Sequence, residues 1–376
     1  MSKNKSILSI VIIGVFTSFI MLMSCKTSAI TEDGPAHTKS SELKSLLDSV
    51  IADNNLPSIA AAVIAKEGVI ELASAGVRKQ GADVPVTNSD KYHIGSCTKA
   101  MTAALAAMYI DDGLLEWNST ILDIFSEMSS SIHEDYQEVT LYELLTHTSG
   151  LAANSINIWN YQDLGIIERR FKIITEVLGQ PAPNPKGVFL YSNIGYTIAG
   201  TMLEKLTDKS WETLMKERIF DPLQMSTAGF GPPGIIGKIN QPWGHIKSNP
   251  SDNGNPVQSD NPEAMGPAGT VHCNIADWGK FVSFQFLQND TSLLSQVQRD
   301  KLLQVNKENY APGWIIVDRP WANGKAYTHA GSNTMNYALV WVAPAIDRAY
   351  LVCTNAMSPN IHQICDGIIV ELLEKN

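Results

Sequence analysis

The stretch HIGSCTKAMTAALAAM, residues 93–108, carries the pattern on which fold and function both depend. Ser96 and Lys99 stand three residues apart at the start of an alanine-rich run. Because residues i and i+3 share one face of a helix, the lysine amine can reach the serine hydroxyl. A serine becomes a good nucleophile when a base takes its proton, and burial favours the neutral form of lysine that can do so. The alternative for this pattern alone is a helix cap followed by a surface lysine.

A second motif, Tyr191-Ser192-Asn193, lies within GVFLYSNIGYTIAG. A phenol beside a lysine can be kept partly ionised and act as a general base. An asparagine two residues later can donate to a substrate amide and also fix the lysine. The alternative is a turn before a helix, with Ser192 or Asn193 as its cap.

A third motif, His329-Ala330-Gly331-Ser332, lies at the end of a predicted strand. Gly331 would let a substrate backbone approach closely. The amide N–H of Ser332 would complete an oxyanion hole with the amide of Ser96, which is expected at the positive end of a helix dipole.

The periodicity of the chain predicts strand-rich ends and a helical middle. The predicted helices are 41–54, 97–111, 166–178, 193–207, 211–219 and 360–373. The predicted strands are 59–64, 69–77, 313–317, 326–329, 337–342 and 349–354. Residues 231–270, rich in Pro, Gly, Asn and Ser, are predicted to be loop.

These elements predict a fold of the α/β (α+β) class, in which an antiparallel β-sheet is flanked by helices and carries an inserted all-helical domain. We expect one domain over residues 41–376. Its α/β part would be 41–95 and 266–376, and its helical part would be 96–265.

The first residues have the layout of an export signal. Two lysines precede the apolar run 7–23, as in a secretory signal peptide over 1–24, and a tether is expected over 25–40. The run ends in LMSC, which resembles a bacterial lipoprotein box, although Met23 is larger than the usual residue there. Cys25 is therefore expected to carry a lipid anchor on an exported, periplasmic or cell-envelope protein. An uncleaved anchor, or a signal cut elsewhere, is the alternative.

Composition excludes several classes of partner. A formal net charge of −10 with no basic cluster argues against nucleic acid. The five cysteines include no Cys-x-x-Cys pair, so a zinc site is not expected. The expected partners are a small-molecule or peptide substrate and the membrane, through the lipid anchor.

The three motifs, taken in order, resemble those of a serine hydrolase superfamily. It includes class C β-lactamases, D-Ala-D-Ala carboxypeptidases and related esterases, and its members are penicillin-binding-protein-like. The stretches LLTHTSGL, IFDPLQMSTAGF and GPAGTVHCNIADWGKF add to a resemblance that spans roughly 41–375. It implies a β-lactamase/transpeptidase-like fold and acyl transfer through an acyl-enzyme, which is then hydrolysed without metal or cofactor.

The resemblance also implies a role for each motif residue. Ser96 would be the acylated nucleophile, and Lys99 and Tyr191 would share proton transfer, with the identity of the base left open. Asn193 would contact the substrate amide. The far wall of the pocket would be lined by His329, Gly331 and Ser332.

One residue departs from the pattern of class C β-lactamases, which carry lysine where His329 stands. That lysine is a fixed positive charge near the β-lactam carboxylate, whereas a histidine is mostly neutral near pH 7. Histidine at this position is familiar in D-peptidases of the superfamily. The departure favours a peptidase or a broad amide and ester hydrolase over a dedicated β-lactamase.

The expected substrates belong to the β-lactam or D-amino acid peptide class. Two alternatives are a carboxylesterase of the same superfamily and a non-catalytic binding module of the cell envelope. Such modules usually lose the serine or the lysine, and this chain keeps both.

Other polar residues are interpreted as structural. His147, in the segment THTSG, is expected to lie at a helix end, and Cys97 is expected to point into the helical core. No Gly-x-Ser-x-Gly occurs, which argues against the nucleophile elbow of an α/β-hydrolase. Structural or surface positions are also expected for His93, His245 and His272.

Overall fold

The computed structural model describes residues 35–375. The predicted signal peptide, Cys25 and the first part of the predicted tether lie outside the described residues. The predicted fold is confirmed: an antiparallel sheet carries helices on both faces, and a helical segment is inserted between its first and last strands. Among the described residues, no helix combines the length and the apolar character needed to cross a bilayer.

The strands lie mainly at the two ends of the described chain. They are β1 Ser58–Ala65, β2 Gly68–Gly76, β3 Tyr92–His93, β4 Gly229–Phe230, β5 Gly244–Ile246, β6 Asn255–Val257, β7 Val271–Cys273, β8 Tyr310–Ala311, β9 Trp314–Arg319, β10 Gly324–Ser332, β11 Tyr337–Ala343 and β12 Arg348–Thr354.

The helices fill the middle and cover the sheet. They are α1 Pro35–Asn54, α2 Thr98–Asp111, α3 Ile121–Ile124, α4 Glu134–Gln137, α5 Leu141–Leu145, α6 Ile166–Leu178, α7 Asn193–Thr207, α8 Trp211–Met215, α9 Gly266–Gly269, α10 Ile275–Phe286, α11 Gln296–Leu302 and α12 Ile361–Lys375.

The main sheet has seven strands in the order β2-β1-β12-β11-β10-β9-β8. Strand β1 pairs with β12, and strands from early and late in the described chain therefore lie side by side in one sheet. Successive side chains of a strand point to opposite faces. Ile59 and Ala61 accordingly pack with α1 and α12 in one core. Ala60 and Ala62 face the other core, which extends into the helical segment.

Several boundaries differ from the sequence prediction. Helix α1 begins at Pro35, within the predicted tether. The predicted helix 211–219 divides into α8 and a π-helical turn, Lys216–Phe220. The predicted loop 231–270 contains the β5–β6 pair and α9. Strands and helices of three or four residues are too short to show a period, so composition alone cannot reveal them.

Candidate active site

The nucleophile candidate lies where the sheet meets the helical segment. Ser96 is the middle residue of a 3₁₀ turn, Gly95–Cys97, which leads directly into α2. The turn follows the short strand β3, which pairs with β7. The predicted helix over 97–111 is confirmed, and it sets Lys99 one turn beyond Ser96. Cys97 is buried, as expected.

The end of β10 packs so closely against this turn that only glycine fits. A Cβ atom added to Gly331 would lie 2.0 Å from the Ile94 carbonyl oxygen and 2.7 Å from the Ser96 nitrogen. A Cβ atom added to Gly95 would lie 2.2 Å from the Ser332 nitrogen. The close approach is thus to the chain's own turn, whereas the sequence prediction attributed it to a substrate. The contact brings the two amides of the expected oxyanion hole together.

Lys99 is fully buried and contacts three oxygen atoms. Its Nζ lies 3.2 Å from Ser96 Oγ, 2.7 Å from Asn193 Oδ1 and 2.7 Å from the Ala268 carbonyl oxygen. Within the described residues, no carboxylate forms an ion pair with it. Burial lowers the pKa of Lys99 to about 7, against a smaller opposing effect of Cys97. A substantial fraction of the amine is therefore neutral at pH 7.

Tyr191 lies beside both of these groups. Its ring centre is 4.8 Å from Lys99 Nζ, and its phenol interacts with the Ser96 hydroxyl. Burial raises the pKa of Tyr191, and the interaction with Ser96 only partly opposes that rise. The phenol is therefore protonated at neutral pH, in contrast to the partial ionisation predicted from the sequence.

The second motif serves both as a helix cap and as part of the site. Ser192 is the N-cap of α7, and its Oγ accepts from the Gly195 N–H at 3.1 Å. Asn193, the first helical residue, faces Lys99 through Oδ1 and donates through Nδ2 to Asn154 Oδ1 at 2.9 Å. The two interpretations of this motif are therefore compatible.

His329 is buried, and both of its ring nitrogens are engaged within the protein. Nδ1 lies 2.7 Å from the Ala330 carbonyl, which can only accept, so Nδ1 carries the proton. Nε2 then accepts from the Tyr310 hydroxyl at 3.1 Å. Burial, and after it the charge of Lys99, lowers the pKa of His329 to about 3. The residue supplies no positive charge to the site at neutral pH.

A buried link joins the nucleophile turn to the chain after Ser332. His93 Nδ1 accepts the Gly95 N–H at 3.1 Å. Its Nε2 lies 2.8 Å from Asp260 Oδ1, although the ring is not aligned for a hydrogen bond there. The same carboxylate oxygen accepts from Asn333 Nδ2 at 3.0 Å. His93 therefore has the structural position that was expected, and it also lies against the Asp260 carboxylate.

Three residues of the site had no assigned role in the sequence prediction. Tyr310 lies on the two-residue strand β8, which shows no periodicity. Asn154 lies in an exposed loop. His147 is at the expected helix end, but its ring lies 4.3 Å from that of Tyr191. The sequence signal for His147 was its place in LLTHTSGL, one of the stretches that carried the family resemblance.

The site chemistry is that of a serine and a buried amine. Among residues 35–375, no group of three or more His, Cys, Asp or Glu side chains is placed to hold a metal ion. His245 and His272 are buried and contact main-chain groups, in agreement with their structural interpretation.

Comparisons with known proteins identify the family of the chain. The family model described as Beta-lactamase matches residues 43–373. Penicillin-binding protein 4 of Amycolatopsis lactamdurans is 26% identical over 292 residues, which cover 73% of this chain and 75% of that protein. Lovastatin esterase of Penicillium rubens is 25% identical over 169 residues, which cover 40% of this chain and 42% of that protein.

The fold is also similar to that of a solved structure. The penicillin-binding protein homologue from Pyrococcus abyssi superimposes with a TM-score of 0.73 at 23% identity, covering 89% of this chain and 78% of that chain. This likeness shows that the two chains share a fold.

Proposed function

The chain belongs to the β-lactamase family of serine hydrolases, and from this membership we propose that it hydrolyses an amide or an ester through a Ser96 acyl-enzyme. The observation that carries the proposal is the position of Lys99. Its Nζ lies 3.2 Å from Ser96 Oγ in a buried site, and its other two contacts are to uncharged oxygens. In the part of the chain that the structure describes, no carboxylate pairs with the amine to hold it in its charged form.

Lys99 acts as the base for acylation. A neutral amine has two N–H groups and one lone pair. The two short contacts, to Asn193 Oδ1 and the Ala268 carbonyl, use the two N–H groups because these oxygens can only accept. The lone pair is then available to Ser96. The hydroxyl proton moves to Nζ while Oγ forms a bond to the substrate carbonyl carbon.

The charge that develops on the carbonyl oxygen is stabilised by main-chain amides. As Oγ attacks, the carbonyl π electrons move onto oxygen. The N–H groups of Ser96 and Ser332 donate to that oxygen, because the glycine contact between β10 and the nucleophile turn holds them together.

Tyr191 delivers a proton to the leaving group. Its phenol is protonated at neutral pH and is within reach of Ser96. When the C–N or C–O bond breaks, the departing amine or alcohol takes the phenol proton, and the Lys99 ammonium restores it. Water then attacks the acyl carbon and loses its proton to the same pair, which releases the acid and regenerates Ser96.

The proposed substrate class is a β-lactam or a D-amino acid peptide. The penicillin-binding relative supports it, because that protein's name states that it binds penicillin. The neutral, internally bonded His329 favours a peptidase or a broad hydrolase over a dedicated β-lactamase, since it offers a substrate carboxylate no fixed charge.

A carboxylesterase is the second candidate. The same neutral His329 suits an uncharged ester, and one relative is named an esterase. An ester also has a better leaving group than an amide, so it makes a smaller demand on proton transfer from Tyr191.

Two activity-based probes test the proposal. Wild-type protein should react with a fluorescent penicillin or a fluorophosphonate and gain the matching mass on Ser96. The Ser96→Ala variant should lose the label, whereas Ser283→Ala, which removes a buried hydroxyl in α10, should keep it. Labelling by neither probe would support the binding-module alternative, and labelling that persists in Ser96→Ala would reject the nucleophile.

A turnover panel then separates the two candidate functions. It compares D-Ala-D-Ala peptides, nitrocefin and p-nitrophenyl esters of matched acyl size. Peptide or β-lactam turnover would support the first candidate. Turnover of the esters alone would support the second.

We also propose that the protein is exported and anchored by a lipid on Cys25, on the basis of residues 7–25. Cells grown with an alkyne-tagged fatty acid should yield tagged, membrane-bound protein. A Cys25→Ala variant should be untagged, whereas Cys97→Ala should retain the tag. Tagging that is equal in Cys25→Ala and wild type would contradict the proposal.

A further inference from the structure

His147 contacts Tyr191 and the residues on either side of it. Its carbonyl oxygen accepts the N–H of Leu190 at 2.8 Å, and its Nδ1 accepts the N–H of Ser192 at 3.0 Å. The residues before and after Tyr191 therefore both donate a main-chain hydrogen bond to His147. Its imidazole ring also packs on the phenol ring, with ring centres 4.3 Å apart and planes inclined at 41°.

The chain incurs an energetic cost to keep a histidine in this position. His147 adopts a left-handed backbone conformation, with φ at +60°, which is uncommon for residues other than glycine. Because Nδ1 is an acceptor, the neutral ring carries its proton on Nε2, and this buried atom has no hydrogen-bond partner among residues 35–375. An unpaired buried donor destabilises the folded protein. A residue that only filled space would avoid both costs.

The groups around the ring explain why it stays neutral. It is 1% exposed and packs against three further aromatic side chains, Phe189, Tyr196 and Tyr310. Burial, followed by the nearness of two other groups that can bind a proton, Lys99 and His329, lowers the pKa of His147 well below its ordinary value. Its Nδ1 therefore remains an acceptor for Ser192 at neutral pH.

We propose that His147 is the positioning residue for Tyr191, because it fixes the main chain on both sides of this residue and supports its ring so that the phenol stays in contact with Ser96. The inference rests on the proposed function, in which Tyr191 delivers the leaving-group proton. The hydrogen bonds that His147 forms within residues 35–375 are to main-chain groups, and none of them involves a reacting atom.

The acceptor and the ring of His147 can be tested separately. His147→Asn keeps an acceptor at the place of Nδ1 and tolerates the left-handed backbone, but it loses the ring. His147→Phe keeps a ring and loses the acceptor. A displacement of about 1 Å can cost on the order of 100-fold in rate. Hydrolysis of an alkyl ester, whose departing alcohol needs the phenol proton, should fall about 10- to 100-fold in His147→Phe. His147→Asn should recover most of that loss, with KM little changed in both.

A double-mutant cycle shows whether His147 acts through Tyr191. If it does, His147→Phe should have little further effect in the Tyr191→Phe variant, because no phenol is left to position. An equal fold-loss with and without the phenol would overturn the proposal. So would normal activity in Tyr191→Phe, which would leave Ser96 as the nucleophile but give His147 nothing to position.

Two controls separate positioning from stability. Ile368, on α12, is buried in the core on the other face of the sheet, and Ile368→Ala creates a cavity there. This variant should lower resistance to urea and leave alkyl-ester hydrolysis per folded molecule unchanged. Hydrogen exchange on wild-type protein needs no variant. The Leu190 and Ser192 amides should be protected, and exchange as fast as in an open loop would overturn the proposal.

The same experiments show which idea has failed. Persistent labelling of Ser96→Ala would remove the proposed function. Loss of label in Ser96→Ala, together with full alkyl-ester hydrolysis in His147→Phe, would remove only the positioning role.

Discussion

Two buried cations in the helical segment behave in opposite ways. Arg170, on α6, binds Glu204 at 2.5 Å and also pairs with Glu212. Burial alone would lower its pKa, but the two carboxylates outweigh that effect and the net shift is upward. Lys99, on α2, is equally buried, but the oxygens it contacts among the described residues are uncharged, and its pKa falls to about 7. Burial with a counter-charge therefore produces a permanent ion pair, whereas burial without one produces a base.

The difference between Arg170 and Lys99 depends on which oxygen atoms the neighbouring helices place around each cation. The carboxylates around Arg170 come from α7 and α8, so the ion pair joins three helices. The oxygens around Lys99 come from α7 and α9, and they are an amide and a main-chain carbonyl. Arginine also keeps its proton in proteins, whereas lysine can lose it.

The largest effect should come from preventing Lys99 from accepting a proton. Lys99→Met removes the amine, and Lys99→Arg replaces it with a cation that does not deprotonate. Both should reduce the rate of Ser96 acylation by about 10³-fold, within the usual range for loss of an acid–base group. Stopped-flow release of p-nitrophenol measures this rate. Activity of Lys99→Arg near wild type would show that the charge, and not the lone pair, is what matters.

Removing the ion pairs of Arg170 should lower the stability of the fold and not the activity. Arg170→Met leaves Glu204 buried without its partner, so we expect a loss of about 3–5 kcal/mol in the free energy of unfolding. Activity per folded molecule should be retained. Lys216→Met, which breaks an exposed pair with Asp221, is the matched control and should have little effect. A similar small loss in both variants would contradict the structural role of Arg170.

A carboxylate placed beside Lys99 should make it resemble Arg170. Asn193→Asp puts a negative charge at the oxygen 2.7 Å from Nζ, which should raise the pKa of Lys99 by about 1–3 units. The rising limb of the pH–rate profile should move to higher pH by that amount. Asn154 contacts Asn193 rather than Lys99 and is exposed, so Asn154→Asp should move the limb less. An unshifted limb in Asn193→Asp would exclude Lys99 as the titrating base.

The smallest effect should come from His329. In wild-type protein, kcat/KM should rise with pH through about 7, because the deprotonated amine is the active form. His329 is already neutral there, so His329→Gln removes no charge. The limb should stay at its wild-type pH even if the rate changes. A limb that moved with His329→Gln would assign this titration to the histidine.

The sequence was most informative where local chemistry decides the structure. Thr140 and Glu143 form a capping box at the start of α5, as the Thr-x-x-Glu spacing in the sequence predicts. Helices α6 and α7 have the predicted bounds, 166–178 and 193–207. The spacing of Ser96 and Lys99 already implied their contact, because one helical turn fixes it.

Contacts between segments far apart in the chain were harder to predict from the sequence. Tyr310 reaches His329 from a two-residue strand, and the ring of His147 reaches Tyr191 from a helix end, with no periodicity to reveal either. The ionisation of Tyr191 also could not be predicted, because a pKa depends on the groups that bury a side chain and not on its neighbours in sequence.

The sequence by itself determined the candidate serine, lysine and tyrosine, the order of strands and helices, and the family to which the chain is similar. These depend on residue type, spacing and period, which are local properties. Only the tertiary structure decided that Lys99 has no carboxylate partner within residues 35–375 and that His329 Nε2 accepts a hydrogen bond from Tyr310. It also decided that β10 meets the nucleophile turn at a pair of glycines. These features depend on desolvation and close packing, which arise when segments far apart in the chain come together.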